Sequence, residues 1–214
     1  MSARPVCWGI YRELAHSPGR EAEDALILRA VAQNLSERGF AVDLKSPDEL
    51  PEQRHARGVP PYLFVMCERV PVVERLAAWE KQGVRVVNRP EAIRNTDRGL
   101  AMALLARHHV PYPQSVLVPT AGPWSPPSLS MPCWVKRGDI HATQAGDVAF
   151  AADLPAAAGA LSLLAGRGVA RAVLQEHVAG DLIKFYGVAG AEEGEPLSFS
   201  SGSTTVTRNW RTTR

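Results

Sequence analysis

Long apolar runs are missing from this chain. None approaches the roughly 18 residues needed to cross a bilayer, which excludes a membrane-spanning helix. The opening MSARPVCWGIYREL has neither an extended apolar core nor a cleavage pattern, so no secretory signal is expected. An excess of one charge is missing as well. Lysine and arginine total 24 against 22 acidic residues, a net +2, and the arginines are scattered without interleaved aromatics. No nucleic-acid partner is expected from that pattern; the closing TRNWRTTR is basic but short and reads as a solvated tail. Cysteine is scarce. Cys7, Cys67 and Cys133 lack the close spacing of a zinc site, and their odd number argues against a disulfide framework. Cys7 and Cys67 lie in apolar strand-like runs and read as buried thiols, in keeping with a reducing, cytoplasmic compartment. The glycine fingerprint of a dinucleotide site is absent after the first strand. No internal repeat and no paired carboxylates for acid–base work stand out.

What is present suits a water-soluble globular chain: 45% apolar and 21% charged residues over 214 positions, enough for one large domain or two small ones. Residues 5–10, PVCWGI, read as a strand, and 20–39 as a helix with Leu28, Val31 and Leu35 on one face, Ile27 beside them and acids in the first turn. FAVDLKS and PYLFVMC follow as strands, the second apolar enough for burial on both faces. A helix over 71–82 and the strand VRVVN come next. Alternation of strand and helix implies a parallel, Rossmann-like open sheet over residues 1–88. The pattern then changes. Asn95 or Thr96 can cap a helix starting near Asp97 with Leu100, Leu104 and Leu105 on its apolar side, ended by Pro111 and Pro113. QSVLV, CWVKRGD, DVAFA, RAVLQEHV, DLIKFYGV and PLSFS read as strands around one helix, 154–166, with Leu154, Ala158, Leu161 and Ala165 on a face. The expected class is α/β followed by α+β, with a second, largely antiparallel domain over 89–214.

Two stretches carry chemistry. In CWVKRGDIHATQAGDVAF, Lys136 ends an apolar strand and a turn bearing Gly138 and Gly146 follows. A lysine at a strand end beside exposed backbone N–H groups can hold a phosphate; a plain hairpin with a surface lysine fits the same spacing. His141 lies in that turn and reads as loop packing, since no nucleophile accompanies it. In VLQEHVAGDLIKFYGV, alternation puts Val173, Gln175 and His177 on one face and Leu174, Glu176 and Val178 on the other. A strand leading into a glycine link can offer the backbone groups of Glu176 and Val178 to an adenine edge, with Lys184 reaching ribose or phosphate. A solvated edge strand fits equally well.

The order of these stretches resembles the ATP-grasp superfamily. Four pieces carry the resemblance over residues 86–188: VVNRPEAIRNTDRGLAMALLARHHVPYPQSVLV, CWVKRGD, the turn ending GDVAF, and VLQEHVAGDLIKFYGV. The resemblance implies ATP as ligand, Lys136 on its phosphates, Gln175, Glu176 and Val178 along the adenine hinge, Asp181 on ribose and Lys184 near the nucleotide. It implies descent from an ATP-dependent carboxylate–amine ligase, a carbon–nitrogen bond-forming class. Three departures stand out. Arg98 occupies the place of a first ATP-contacting lysine, a planar fork instead of a point charge. Arg137, Gly138 and Asp139 follow Lys136 where the family has proline and glycines. From Leu182 to Arg214 there is no aspartate, and Glu192, Glu193 and Glu195 are bunched in a turn, so no protein ligands for magnesium are recognisable. An incomplete ATP-grasp-like domain with weak ATP binding and little turnover is therefore expected. The alternatives are a non-enzymatic interaction or regulatory module, dimeric through exposed β edges, and a small-molecule kinase of the same superfamily.

Overall fold

Strand–helix alternation in the first ninety residues folds as the periodicity requires. The computed structural model describes residues 3–53, 58–122, 129–180, 184–188 and 198–202. They begin with β1 (Val6–Ile10), α1 (Glu21–Glu37), β2 (Ala41–Lys45), β3 (Tyr62–Val65), α2 (Val70–Lys81) and β4 (Arg85–Val87). The four strands form a parallel sheet in the order β2-β1-β3-β4. In α2, Val72, Val73, Leu76 and Trp79 recur at helical spacing and are buried; they meet Ile10, Leu63, Val65 and Val86 in one apolar core. Each fully buried aliphatic side chain of this kind contributes about 1.5–3 kcal/mol. Cys7, Cys67 and Cys133 are buried free thiols, and desolvation pushes Cys67 up to about 12.

Three local expectations are corrected. The buried stripe of α1 is Leu28 and Ala32, while Ile27 and Val31 are 54% and 40% exposed because they turn toward a cleft instead of the sheet. In β3, Leu63 and Val65 are buried but Tyr62 is exposed and Phe64 half-buried, so one face of that strand is covered and the other is open. A short helix, α3 (Pro90–Arg94), precedes α4 (Arg98–Arg107). The cap of α4 is Asp97, whose carboxylate accepts from Leu100 N–H at 2.9 Å. Aspartate competes well with asparagine and threonine for that role, and Pro90 pulls Asn95 and Thr96 into the end of α3.

The second sheet is antiparallel. β5 (Ser115–Pro119), β6 (Cys133–Arg137), β7 (Val148–Ala151) and β8 (Arg171–Glu176) pair in the order β5-β8-β6-β7. Helix α5 (Leu154–Gly166), capped by the Asp153 carboxylate on Ala156 N–H, buries Ala157, Leu161 and Leu164 against Cys133, Val135, Ala172 and Leu174. The expected stripe was one position off: Leu154 is exposed and Ala158 and Ala165 half-buried, since the sheet lies under the 157–161–164 ridge. Compact units span Met1–His177 and Val178–Arg214. In the second unit β9 (Lys184–Val188) pairs antiparallel with β10 (Ser198–Gly202). No helix among the described residues is long and apolar enough to cross a membrane.

Candidate functional site

Alternation along β6 sends Cys133 and Val135 into the core beneath α5 and leaves Trp134 and Lys136 on the opposite face. Register then assembles a polar row across three strands. Trp134 pairs with Gln175, and Gln175 pairs with Ser115. The Lys136 ammonium donates to Gln175 Oε1. Gln175, itself buried, donates through Nε2 to Ser115 Oγ at 3.0 Å, and Ser115 Oγ donates to the Pro113 carbonyl at 2.7 Å. Burial, with the Arg98 guanidinium nearby, pushes the Lys136 pKa below its ordinary value. A partly desolvated cation is held in place here by a neutral amide, with no carboxylate bonded to it among the described residues, so its charge is available to an anion.

The turn after Lys136 is built in detail. Gly138 N–H donates to the Arg171 carbonyl at 2.8 Å, and a Cβ at Gly138 would come within 2.9 Å of that same oxygen; only glycine allows the backbones so close. Gly146, at φ +86°, makes the left-handed return into β7. Asp147, fully buried, organises what lies between. Its Oδ2 accepts from Thr143 N–H at 2.7 Å, Thr143 Oγ1 at 2.9 Å and Gln144 N–H at 3.0 Å, and its Oδ1 accepts from Arg167. Burial alone raises the pKa of such a carboxyl, but these hydrogen bonds outweigh it and hold Asp147 well below the usual carboxylate range. Arg137 grips Asp139 through two bonds of 2.7 and 2.8 Å.

Arg98, at the first turn of α4, donates through Nη1 to the carbonyls of Arg137 at 2.6 Å and Ile140 at 2.8 Å. Its guanidinium thus touches the backbone of the turn; burial lowers its pKa. His141 Nδ1 lies 3.1 Å from Glu68 Oε1, at the carboxyl end of β3. The Glu176 carboxylate accepts from Gln114 N–H at 2.7 Å, and Glu176 N–H donates back to the Gln114 carbonyl at 2.8 Å, so this side chain ties β8 to the approach to β5. His177 N–H donates to the Pro132 carbonyl at 3.1 Å, its ring accepts from Trp134 Nε1 at 3.2 Å, and Phe150 packs edge-on against both rings. Val178 is 62% exposed. Lys184 opens β9, opposite Gly202 in that hairpin. Asp181 lies outside the described residues. The first unit therefore brings Arg98, Lys136, Gly138, His141, Gly146, Gln175 and Glu176 to one sheet and its adjoining turn. Sequence reasoning missed Ser115, Asp147 and Glu68; the Gly-Asp step closing the turn was a signal for Asp147, while Ser115 meets Gln175 across 60 residues and Glu68 meets its partners from equally distant segments.

A cleft of about 620 Å³ opens at the carboxyl ends of β1, β3 and β4, walled by Ile27, Val31, Phe64, Val87 and Ile93 with Arg12 and Glu68 at its polar end. A second, of about 560 Å³, is bordered by His16, Arg137, Thr143, Gln144 and Arg167.

No family model and no curated protein matches the chain. Solved structures do. A D-alanine–D-alanine ligase from Bacillus anthracis complexed with ATP aligns at TM-score 0.63 and 9% identity, over 95% of this chain and 72% of that one. D-alanyl-alanine synthetase A from Vibrio cholerae aligns at TM-score 0.66 and 11% identity, over 94% and 66%. A RimK domain ATP-grasp protein from Sphaerobacter thermophilus aligns at TM-score 0.55 and 19% identity, over 82% and 64%. The likeness defines a mixed α/β fold with two sheets. The likeness is one of fold alone, and the chain spans between about two thirds and three quarters of the length of these proteins.

Proposed function

We propose that the chain binds an adenine nucleotide on the open face of its antiparallel sheet, as a carboxylate–amine ligase-like protein of the ATP-grasp fold. The observation that carries this reading is the Lys136–Gln175–Ser115 row leading into a turn held by Asp147. Together they provide a cation bonded to no carboxylate beside a preformed loop, which is what a polyphosphate needs. In this reading Lys136 and the turn from Gly138 through His141 to Gly146 receive the phosphates. Gln175 and the backbone of Glu176 and Val178 border the base, with Asp181 on ribose and Lys184 also acting on the nucleotide. Arg98 acts on the phosphates through the turn it holds. The order β2-β1-β3-β4 supports a Rossmann-like N-terminal domain, and the separate apolar cores support a division into residues 1–88 and 89–214.

ATP, when bound, would supply the γ-phosphoryl group that activates a carboxylate toward an amine. In this reading the chain supplies no recognisable ligands of its own for magnesium. Among the described residues no group of three or more His, Cys, Asp or Glu side chains can hold a metal ion, and residues 182–214 carry no aspartate. Nucleotide binding with little turnover by this chain alone is the reading that follows. Titration calorimetry with ATP tests it: a saturable heat is expected, weakened about tenfold or more in Lys136→Met, equivalent to about 1.4 kcal/mol. Absence of heat at millimolar ATP, with an unchanged melting temperature, contradicts it.

A further inference from the structure

A surface helix ordinarily carries charged or polar residues on the side away from its core, and one that is apolar all round is covered. Helix α5 departs from that rule. Its sequence, LPAAAGALSLLAG, includes no charged side chain, and Ser162 is its sole polar one. The other described α-helices each carry charged residues. The 157–161–164 ridge of α5 accounts for its inner side. Its outer side stands open. Leu163 is 70% and Leu154 41% exposed, with Ala156, Gly159 and Gly166 exposed beside them. A Cβ placed on Gly159 or Gly166 would meet nothing within 4 Å. Absence of charge around a protruding leucine is the composition of an interface core.

Charge sits only at the two ends of this helix, with opposite signs. Asp153 caps the amino end, its Oδ1 accepting from Ala156 N–H at 2.8 Å, and Arg167 follows the carboxyl end. Both residues are exposed. Arg167 donates through Nη2 to Asp147, which fixes the guanidinium at the end of the face and leaves it further N–H donors. Such a face complements itself in one arrangement. With a twofold axis near Gly159, a second α5 lies antiparallel to the first and sets its Asp153 beside the first copy's Arg167, and the reverse at the other end. Leu163 of each copy then lies over Ala156 of the other, and glycine at the crossing lets the helix axes approach to about 8 Å. A parallel pairing would instead set Asp153 against Asp153 and Arg167 against Arg167. We propose that the outer face of α5 docks a second copy of this chain, the two helices antiparallel and crossing near Gly159. Two helices of about 20 Å bury less than the roughly 1,200 Å² of a standard interface, so this dimer is reversible and depends on concentration. It owes nothing to the nucleotide reading.

The test uses the full chain without ATP. Sedimentation equilibrium from about 10 μM to about 1 mM should show a monomer passing into a dimer. Leu163→Glu should weaken that association about tenfold or more with an unchanged melting temperature, because the side chain it replaces stands in solvent. Under mild oxidation Gly159→Cys should give a disulfide-linked dimer. Gly166→Cys should not, since antiparallel packing holds its two copies about 20 Å apart, beyond the reach of a disulfide. Cys7, Cys67 and Cys133 are buried, so the parent chain supplies the uncoupled control. The proposal is overturned if the chain stays monomeric throughout, which would leave the face to a different partner. It is overturned equally if Leu163→Glu dimerises like the parent, which would move the contact to another surface such as a strand edge. Cross-linking of Gly166→Cys as readily as Gly159→Cys would overturn the antiparallel arrangement and the proposal with it.

Discussion

The Arg98 guanidinium donates through Nη1 to the Arg137 and Ile140 carbonyls and so bridges the start of the turn. A charged donor on two carbonyls is worth about 1.5–3 kcal/mol per bond, enough to decide whether the turn is preformed. Arg98→Met should therefore raise amide exchange through residues 138–147 by about tenfold or more in the chain without nucleotide. Unchanged exchange would show that the guanidinium does not hold the turn. Lys136 was legible from its place at the end of an apolar strand. Its amide partner Gln175 was named for a different reason, the hinge, and Ser115 was not named at all. Hydrogen bonds spanning 39 and 60 residues leave no local pattern for periodicity to detect.

At the scale of elements, type and order were readable and orientation less so. Strands and helices over 5–45, 62–87, 115–119, 133–151 and 154–176 follow from periodicity, capping and proline. The buried ridge of α1 and of α5 each missed by about one position, because a 3.6-residue repeat leaves two neighbouring ridges nearly equal until the sheet beneath selects one. The β6–β7 turn is the element most dependent on one residue. Asp147 binds two backbone N–H groups, a hydroxyl and the guanidinium groups of Arg137 and Arg167 from full burial. Removing one partner of such a network costs about 3 kcal/mol, so Asp147→Asn should lower the melting temperature by about 6–12 °C near neutral pH. The folded-state pKa of Asp147 is depressed. Its contribution is therefore complete above the unfolded carboxyl value of about 3.9 and is lost as pH falls below it toward the folded value. Thermal melts of both proteins over descending pH should converge below about pH 4; a gap that stays constant through the acid range would show that the ionised carboxylate is not what stabilises the turn.

For the molecule as a whole, the parallel and antiparallel sheets, their order along the chain and the likeness to ATP-grasp ligases agree with the sequence reading at the level of fold. The charge cluster of Glu13, His16, Glu68 and His141 was invisible beforehand because its members come from three separated segments and adjoin only in the folded chain. The proposed nucleotide face has the same character: Lys136, Gln175 and Ser115 converge through strand register. Hydrogen–deuterium exchange of the full chain with and without ATP tests that convergence most directly. Saturable protection confined to residues 133–147 and 171–188 is expected. Protection elsewhere, or none at millimolar ATP, would contradict a nucleotide seated on this sheet.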